Sequence, residues 1–449
     1  MSKDSIQHES VKQYVRQVCG HVKAREVHPD IQLEITGHLD ELVEDKLGDG
    51  LSVEEATRQA LAQMGDPDQI GKRLHAAHKP VMEWGLAALV AIMVGIGLLA
   101  VYALQFAYGE QSTSQFFFKK VLYTAIGVVL VIGIYFMDYR KWRKYSWYLY
   151  SGTVLLMVAC NIIGTEINGM KRWIAIGAHT IDVYGVSPYL FMIAFAGMLM
   201  DRKTEKLGSL IKSLHLAKMI LLYAFVPTFL YSQAHSFHDF IVYGFGLMIL
   251  MLYVAKKYKV FFISLASLAF IGITLLTLNP FRYQAVWHRY TALLNPNASN
   301  DSLYVTHRSI EAILSGGMWG QGFGAKNTMI PFVQSEMVFT YLMHSLGWVF
   351  GFCIVVLTLI LIGKAFSVAS MLKDPYARGL VVGLFSVIGM HFGWNILMSL
   401  GLLPITAMTM PFVSYGGTNG IIELMAMGLI LSVHRRRNMI SRLNSEAQA

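Results

Sequence analysis

Ala125-Ile-Gly-Val-Val-Leu-Val-Ile-Gly-Ile-Tyr-Phe-Met137 carries no charge, and its apolar side chains run without a break. A barrel strand in a membrane would alternate its faces with period two. Backbone groups inside lipid must bond within their own segment, so a continuous run of this kind is a helix. Similar runs recur near 82–105, 120–138, 145–164, 184–200, 216–234, 237–255, 260–278, 336–363, 380–401 and 418–433. Most approach the roughly 20 residues that span about 30 Å of hydrocarbon. Composition agrees with that reading. The chain is 55% hydrophobic and 14% charged, where soluble domains carry about 25% charged residues. Its mean hydropathy is +0.47. The expected fold is all-α: a polytopic membrane protein of about ten transmembrane helices.

Charge sets the expected orientation. Arg140, Lys141, Arg143 and Lys144 fall in one loop, and Arg202, Lys203 and Lys206 in another. Lys256, Lys257 and Lys259 follow, then Lys364, Lys373 and Arg378, then Arg435, Arg436 and Arg437. With ten spans all lie on the side of both termini, which the excess of cations makes the cytoplasm. Lys119 and Lys120 are the exception, at the opposite boundary. The net charge of +9 therefore reflects membrane topology, and no nucleic-acid partner is expected. No cleavable signal peptide is visible at the start, and the scattered Cys19, Cys160 and Cys353 suggest neither a disulfide framework nor a metal cluster.

Residues 1–80 differ from the rest, with 10 Lys/Arg against 14 Asp/Glu. Ile31, Ile35, Leu39, Leu42, Val43 and Leu47 form a helical stripe. Gly48 and Gly50 end that helix, and Ser52-Val-Glu-Glu55 opens the next with a capping box. The segment reads as a cytoplasmic helical domain, followed by a membrane domain over 81–437 and a cytoplasmic tail over 438–449. Gly50, Glu54, Glu55, Ala56, Gly65, Asp66 and Pro67 resemble the "permease prefix" domain found ahead of several bacterial membrane proteins. That likeness implies a module with a cytoplasmic partner, not chemistry.

On the outer side, segments 165–186, 279–335 and 402–417 are rich in Gly, aromatic and polar residues. The middle one is too long for a mere connector. Asn168-Gly-Met-Lys-Arg-Trp-Ile174 looks like the "NGAxRWI" stretch of the SEDS (shape, elongation, division and sporulation) family. Arg289, Leu294-Asn-Pro296, Tyr304, Ser309 and Ala312 match its "R…P…Y…S..A". Ser315-Gly-Gly-Met-Trp-Gly-Gln-Gly322 matches "SGGxxGxG", and Leu403-Pro404 with Pro411-Phe-Val-Ser-Tyr-Gly-Gly417 matches "LP…PFxSYGG". Taken in order, these pieces make the chain resemble the FtsW/RodA/SpoVE group over about residues 82–437.

The resemblance implies a peptidoglycan glycosyltransferase that polymerises lipid II at the outer face of the bacterial cytoplasmic membrane. It also implies a class B penicillin-binding protein as partner. Two other readings stay open: a catalytically inactive scaffold or regulator of cell-wall synthesis, and a transporter of the lipid-linked precursor. Polymerisation needs a base for the acceptor hydroxyl and cations or donors for the departing pyrophosphate. The family's proposed catalytic Asp falls on Glu336, within Pro331-Phe-Val-Gln-Ser-Glu-Met-Val-Phe339. The extra methylene lengthens the reach by roughly 1.5 Å. An acid at the head of an apolar span is costly unless solvated or paired, although a helix-start carboxylate also suits the macrodipole.

Arg289 and Arg308 are candidates to hold pyrophosphate, since guanidinium forks match phosphate oxygens; ion pairing with Asp301 or Glu311 is the alternative. Lys171, Arg172 and Trp173 are candidates for the substrate cleft, with an interface anchor as the bland reading of Trp173. Ser309, Gly316, Gly317, Ser414, Tyr415, Gly416 and Gly417 complete the candidate binding set, the glycine pairs being at least as well explained by tight turns. His288, His307 and His344 have no standard metal spacing. No cofactor is expected, with a divalent cation left open. Departures from the family pattern remove ionisable groups. "QPSExxK" becomes Ser187-Pro-Tyr-Leu-Phe-Met-Ile193, "QPDLG" becomes Gln233-Ala-His-Ser-Phe237, and "EELG" becomes His344-Ser-Leu-Gly347.

Overall fold

The computed structural model describes residues 3–167, 169–177, 179–199, 217–254 and 300–437, with a few isolated positions between them. The expected span at 260–278 and the candidates Arg289 and Leu294–Pro296 lie outside the described residues, as does His288. The chain divides into two units, one formed by residues 1–83 with 433–449 and the other by 84–432.

In the first unit, helices α1 (Lys3–His21), α2 (His28–Gly48), α3 (Val53–Met64) and α4 (Pro67–Ala77) pack together. Val15, Val18 and Val22 of the α1 region meet Ile31, Ile35 and Leu39 of α2. Val43 packs instead against Ala56 and Ala60 of α3. The expected stripe holds to Val43, but Leu47 is exposed. A spacing of four drifts around a 3.6-residue turn, so the stripe rotates off the core before the helix ends. The capping box forms as far as Ser52, whose hydroxyl accepts from the Glu55 N–H at 3.4 Å.

The second unit holds α5 (Trp84–Tyr108), α6 (Glu110–Phe136), the short α7 (Arg140–Lys144) and α8 (Ser146–Ile163). A three-stranded antiparallel sheet follows, β1 (Thr165–Ile167), β2 (Met170–Ile176) and β3 (His179–Asp182), in the order β1-β2-β3. Beyond it come α9 (Val183–Leu199), a π-helical turn Leu221–Phe225 leading into α10 (Val226–Gln233), and α11 (Phe237–Ile249). The last four described helices are α12 (Asn300–Gly316), α13 (Val338–Met371), α14 (Pro375–Ser399) and α15 (Gly417–Arg435). Seven segments among the described residues are long and apolar enough to cross a membrane: α5, α6 from Gln115, α8, α11 extended to Val254, α13, α14 and α15. α9 is a shorter apolar helix. The protein is a polytopic, predominantly helical membrane protein. Among the described residues the small sheet is the one addition to the all-α expectation; it fills the segment between α8 and α9.

Helix α14 packs against α9, α11 and α13. Helix α13 bends at Gly347, where φ is +88°. The Gly316–Gly322 loop presses against this bend. Gln321 N–H donates to His344 O at 3.0 Å, Gly322 N–H to Ser345 O at 3.0 Å, and Trp348 N–H to Gly317 O at 2.9 Å. A Cβ on Gly316 would stand 2.3 Å from Met343 O, so glycine here serves close backbone approach.

Candidate active site

The β2–β3 hairpin brings Asp182 opposite Trp173, beside Arg172. Arg172 is 2% exposed, and its guanidinium meets Asp182 as a fork, Nε donating to Oδ1 at 2.9 Å and Nη2 to Oδ2 at 2.5 Å. Nη1 lies 3.1 Å from Oδ2 of Asp239, near the start of α11, and also donates to His238 Nε2. Ser236 Oγ donates to Asp239, completing that side. Burial alone would lower the Arg172 pKa, but the charges of Asp182 and Asp239 outweigh it and raise it, with Glu336 adding to the effect. Arg172 is therefore a permanent cation.

Asp182 is tied in on every side. Its N–H donates to Thr418 Oγ1 at 3.0 Å, and its carboxylate accepts from Asn419 Nδ2 at 3.1 Å and Gly185 N–H at 2.9 Å. A Cβ on Gly185 would fall 2.6 Å from Asp182 Oδ2 and 2.9 Å from Arg172 Nη2. The start of α15, the start of α9 and strand β2 thus converge on one ion pair.

Glu336 is half-buried in the turn 331–337, two residues before α13 begins at Val338. The expectation that it opens the helix is corrected: Met337 is the cap. The charge of Glu336 adds to the field of Asp182 and Asp239, the two carboxylates that pair directly with the Arg172 guanidinium. The turn itself is fastened from two sides. Asn395 Nδ2 donates to Glu336 O at 2.9 Å and to Met408 O at 2.8 Å. Ser414 Oγ donates to Ser335 O at 2.6 Å, and Tyr415 N–H donates to Gln334 O at 2.7 Å.

The other candidates divide. Ser414 and Tyr415 join the Glu336 turn through these bonds, and the Tyr415 ring meets Phe116 edge-on at 5.1 Å. Gly417 lies where a Cβ would be 3.1 Å from the Tyr123 ring, and Gly416 adjoins it. Lys171 donates through Nζ to Ile162 O at 3.3 Å. Trp173 lies beneath the Arg172 guanidinium, 5.1 Å from its ring centre. Arg308 pairs with Glu311 at 2.7 Å and stacks on Tyr304, the local arrangement weighed against pyrophosphate binding. Ser309 is buried, its hydroxyl 2.7 Å from Thr340 Oγ1 and donating to Ser399 O at 2.8 Å. It joins α12 to α13 and α14. Gly316 and Gly317 serve the loop against α13, with Gly317 at φ +58°. His344 Nδ1 is 2.9 Å from Ser315 Oγ, a structural use, and His307 is exposed. Among the described residues no three His, Cys, Asp or Glu are grouped to hold a metal ion.

Asp182, Asp239, His238, Thr418 and Asn419 escaped the sequence reading. Asp239 carried a signal: an ionisable residue within an otherwise apolar run. Its presence corrects the impression that the missing Asp of "QPDLG" left this region without an acid; a carboxylate stands four positions after His235.

Apolar spans that carry a small sheet between two of them and enclose an arginine held by carboxylates define a polytopic membrane protein with a polar site built into its bundle. The chain belongs to the FtsW/RodA/SpoVE family, described as "Cell cycle protein", whose profile matches residues 84–439. It is 29% identical over 360 residues to Stage V sporulation protein E of Bacillus subtilis, covering 78% of this chain and 96% of that one. It is 28% identical over 331 residues to the probable peptidoglycan glycosyltransferase FtsW of Geobacter metallireducens, covering 71% and 84%. In fold it is similar to a chain solved in work on the coordination of polymerization and crosslinking by a peptidoglycan synthase complex. That match has a TM-score of 0.65 at 23% identity, covering 80% of this chain and 98% of the other. Rod shape determining protein RodA of Thermus thermophilus matches with a TM-score of 0.57 at 22% identity, over the same shares.

Proposed function

We propose that this protein is a peptidoglycan glycosyltransferase that polymerises lipid II at the outer face of the bacterial cytoplasmic membrane, with both termini in the cytoplasm. The carrying observation is the fastening of the Glu336 turn by Asn395 and the PFVSYGG segment, with the charge of Glu336 felt at the buried Arg172. Family membership and the names of its relatives support the reaction class. Glu336 takes the proton of the acceptor sugar hydroxyl; that oxygen then bonds to the donor's anomeric carbon. The bond from that carbon to the lipid pyrophosphate breaks, and its electron pair leaves with the pyrophosphate. Arg172 is too deeply held to reach a substrate phosphate, so its role is to lock the β2–β3 hairpin to the start of α11 through Asp182 and Asp239. A class B penicillin-binding protein is the proposed partner, and residues 1–80 are proposed to face a cytoplasmic partner.

The test is polymerisation of fluorescent lipid II in proteoliposomes, with and without the partner transpeptidase. Intact protein yields glycan chains, and Glu336→Gln lowers the rate by about 10²–10⁴-fold, the usual contribution of a general base. Absence of chains under every partner condition overturns the polymerase reading. Membrane passage of lipid II without chain growth would replace it with transport.

A further inference from the structure

Lys120 and Glu423 are buried, each 4% exposed, on spans α6 and α15. Neither belongs to the Arg172 network, and ionisable groups inside a span are costly unless matched. Their partners are specific. Lys120 Nζ donates to Phe412 O at 2.9 Å and Ser414 O at 2.6 Å. Glu423 Oε2 accepts from Phe412 N–H at 2.8 Å. Lys120 and Glu423 also act on each other electrostatically.

Phe412, between them, has φ +64°. An aromatic side chain rarely occupies this left-handed region, which persists only where the surroundings impose it. Here the Lys120 amine grips the carbonyl of Phe412 and the Glu423 carboxyl oxygen grips its amide. The chain reversal so fixed aims Ser414 and Tyr415 at the Glu336 turn. Ser414 Oγ accepts from Met410 N–H at 2.8 Å and donates to Ser335 O, and Tyr415 N–H donates to Gln334 O. The carbonyls of the two residues preceding Glu336 are therefore held by a segment that Lys120 and Glu423 hold in turn.

We propose that Lys120 and Glu423 are positioning residues: an intramembrane clamp that sets the place of Glu336 through the strained Phe412. The catalytic consequence rests on the polymerase reading, whereas the clamp itself does not. Two measurements separate them, made on the full protein in nanodiscs and in the lipid II assay. The first is hydrogen exchange in peptides covering 332–337 and 410–416, for Lys120→Met, Glu423→Gln and the conservative Lys120→Arg. Loss of a charge-assisted hydrogen bond predicts exchange about tenfold faster in both peptides for the first two variants. Lys120→Arg stays near the parent, and α1–α4 are unchanged. The second is steady-state polymerisation. Displacement of the base by about 1 Å predicts a kcat loss near a hundredfold, with KM for lipid II unchanged and rescue by Lys120→Arg. Glu423→Gln keeps a side-chain acceptor and serves if Lys120→Met fails to insert.

Unaltered exchange at 332–337 in inserted variants overturns the clamp. Faster exchange with unaltered kcat overturns the positioning role. If the parent protein makes no glycan, the polymerase reading fails by itself, and exchange alone decides the clamp.

Discussion

Arg172 is surrounded by more negative charge than it carries: Asp182, Asp239 and Glu336 all act on it. Buried ions lose several kcal/mol of hydration each, so the network holds only while every member is present. Deleting the cation strands two buried carboxylates, and Arg172→Met should destabilise the protein by about 3–5 kcal/mol. Lys171→Met, one residue away, loses only a 3.3 Å bond to Ile162 O and should cost about 1 kcal/mol or less. Thermal unfolding in detergent, followed by tryptophan fluorescence, checks that ranking; equal shifts would show that water reaches the Arg172 carboxylates. The sequence pointed to Arg172 through its motif but named neither partner. Asp182 reaches it by strand pairing ten residues on, and Asp239 arrives from another span altogether. Lys120 announced itself differently, as one of two cations outside the expected charge pattern, and it is the buried one of that pair.

Among elements, the spans were the easiest to read because their cause is local: a run of apolar side chains needs no knowledge of its neighbours. The described helices cover nine of the ten expected runs, though the fifth is interrupted by a π-helical turn that no residue spacing marked. The β1–β3 sheet was hidden by its exposed, mixed composition, and the bend at Gly347 by the need to know which loop packs there. Capping is the opposite case, a local rule that worked. The Ser52 bond to Glu55 N–H is long, at 3.4 Å, which places its worth at the lower end of the usual range. Ser52→Ala should therefore cost about 0.5–1 kcal/mol. Amides in the first turn of α3 should exchange a few-fold faster while those of α2 hold steady. Uniform acceleration across α1–α4 would mean the cap governs the whole unit rather than one helix end.

Across the whole molecule, position relative to the two membrane faces is what the proposed chemistry depends on, because lipid-linked sugars present their heads on one side only. Basic connections such as the short helix α7, Arg140–Lys144, mark one face. Helix length then fixes the other: α6 from Gln115 spans 22 residues, about 33 Å, so its start and its end at Phe136 lie on opposite faces. Lys120 lies near that start, and through Ser414 it connects with the Glu336 turn. The turn must share the face opposite to Arg140–Lys144. Single cysteines at Lys141 in α7 and at Lys326, in the segment between α12 and α13 that leads to the Glu336 turn, in a background lacking Cys19, Cys160 and Cys353, test this with an impermeant maleimide on intact cells. Lys326→Cys should label from outside, and Lys141→Cys only after the membrane is opened. The reverse pattern would put the carboxylate of Glu336 in the cytoplasm, where no polymerised strand could join the wall, and would leave the clamp and the Arg172 network as architecture alone.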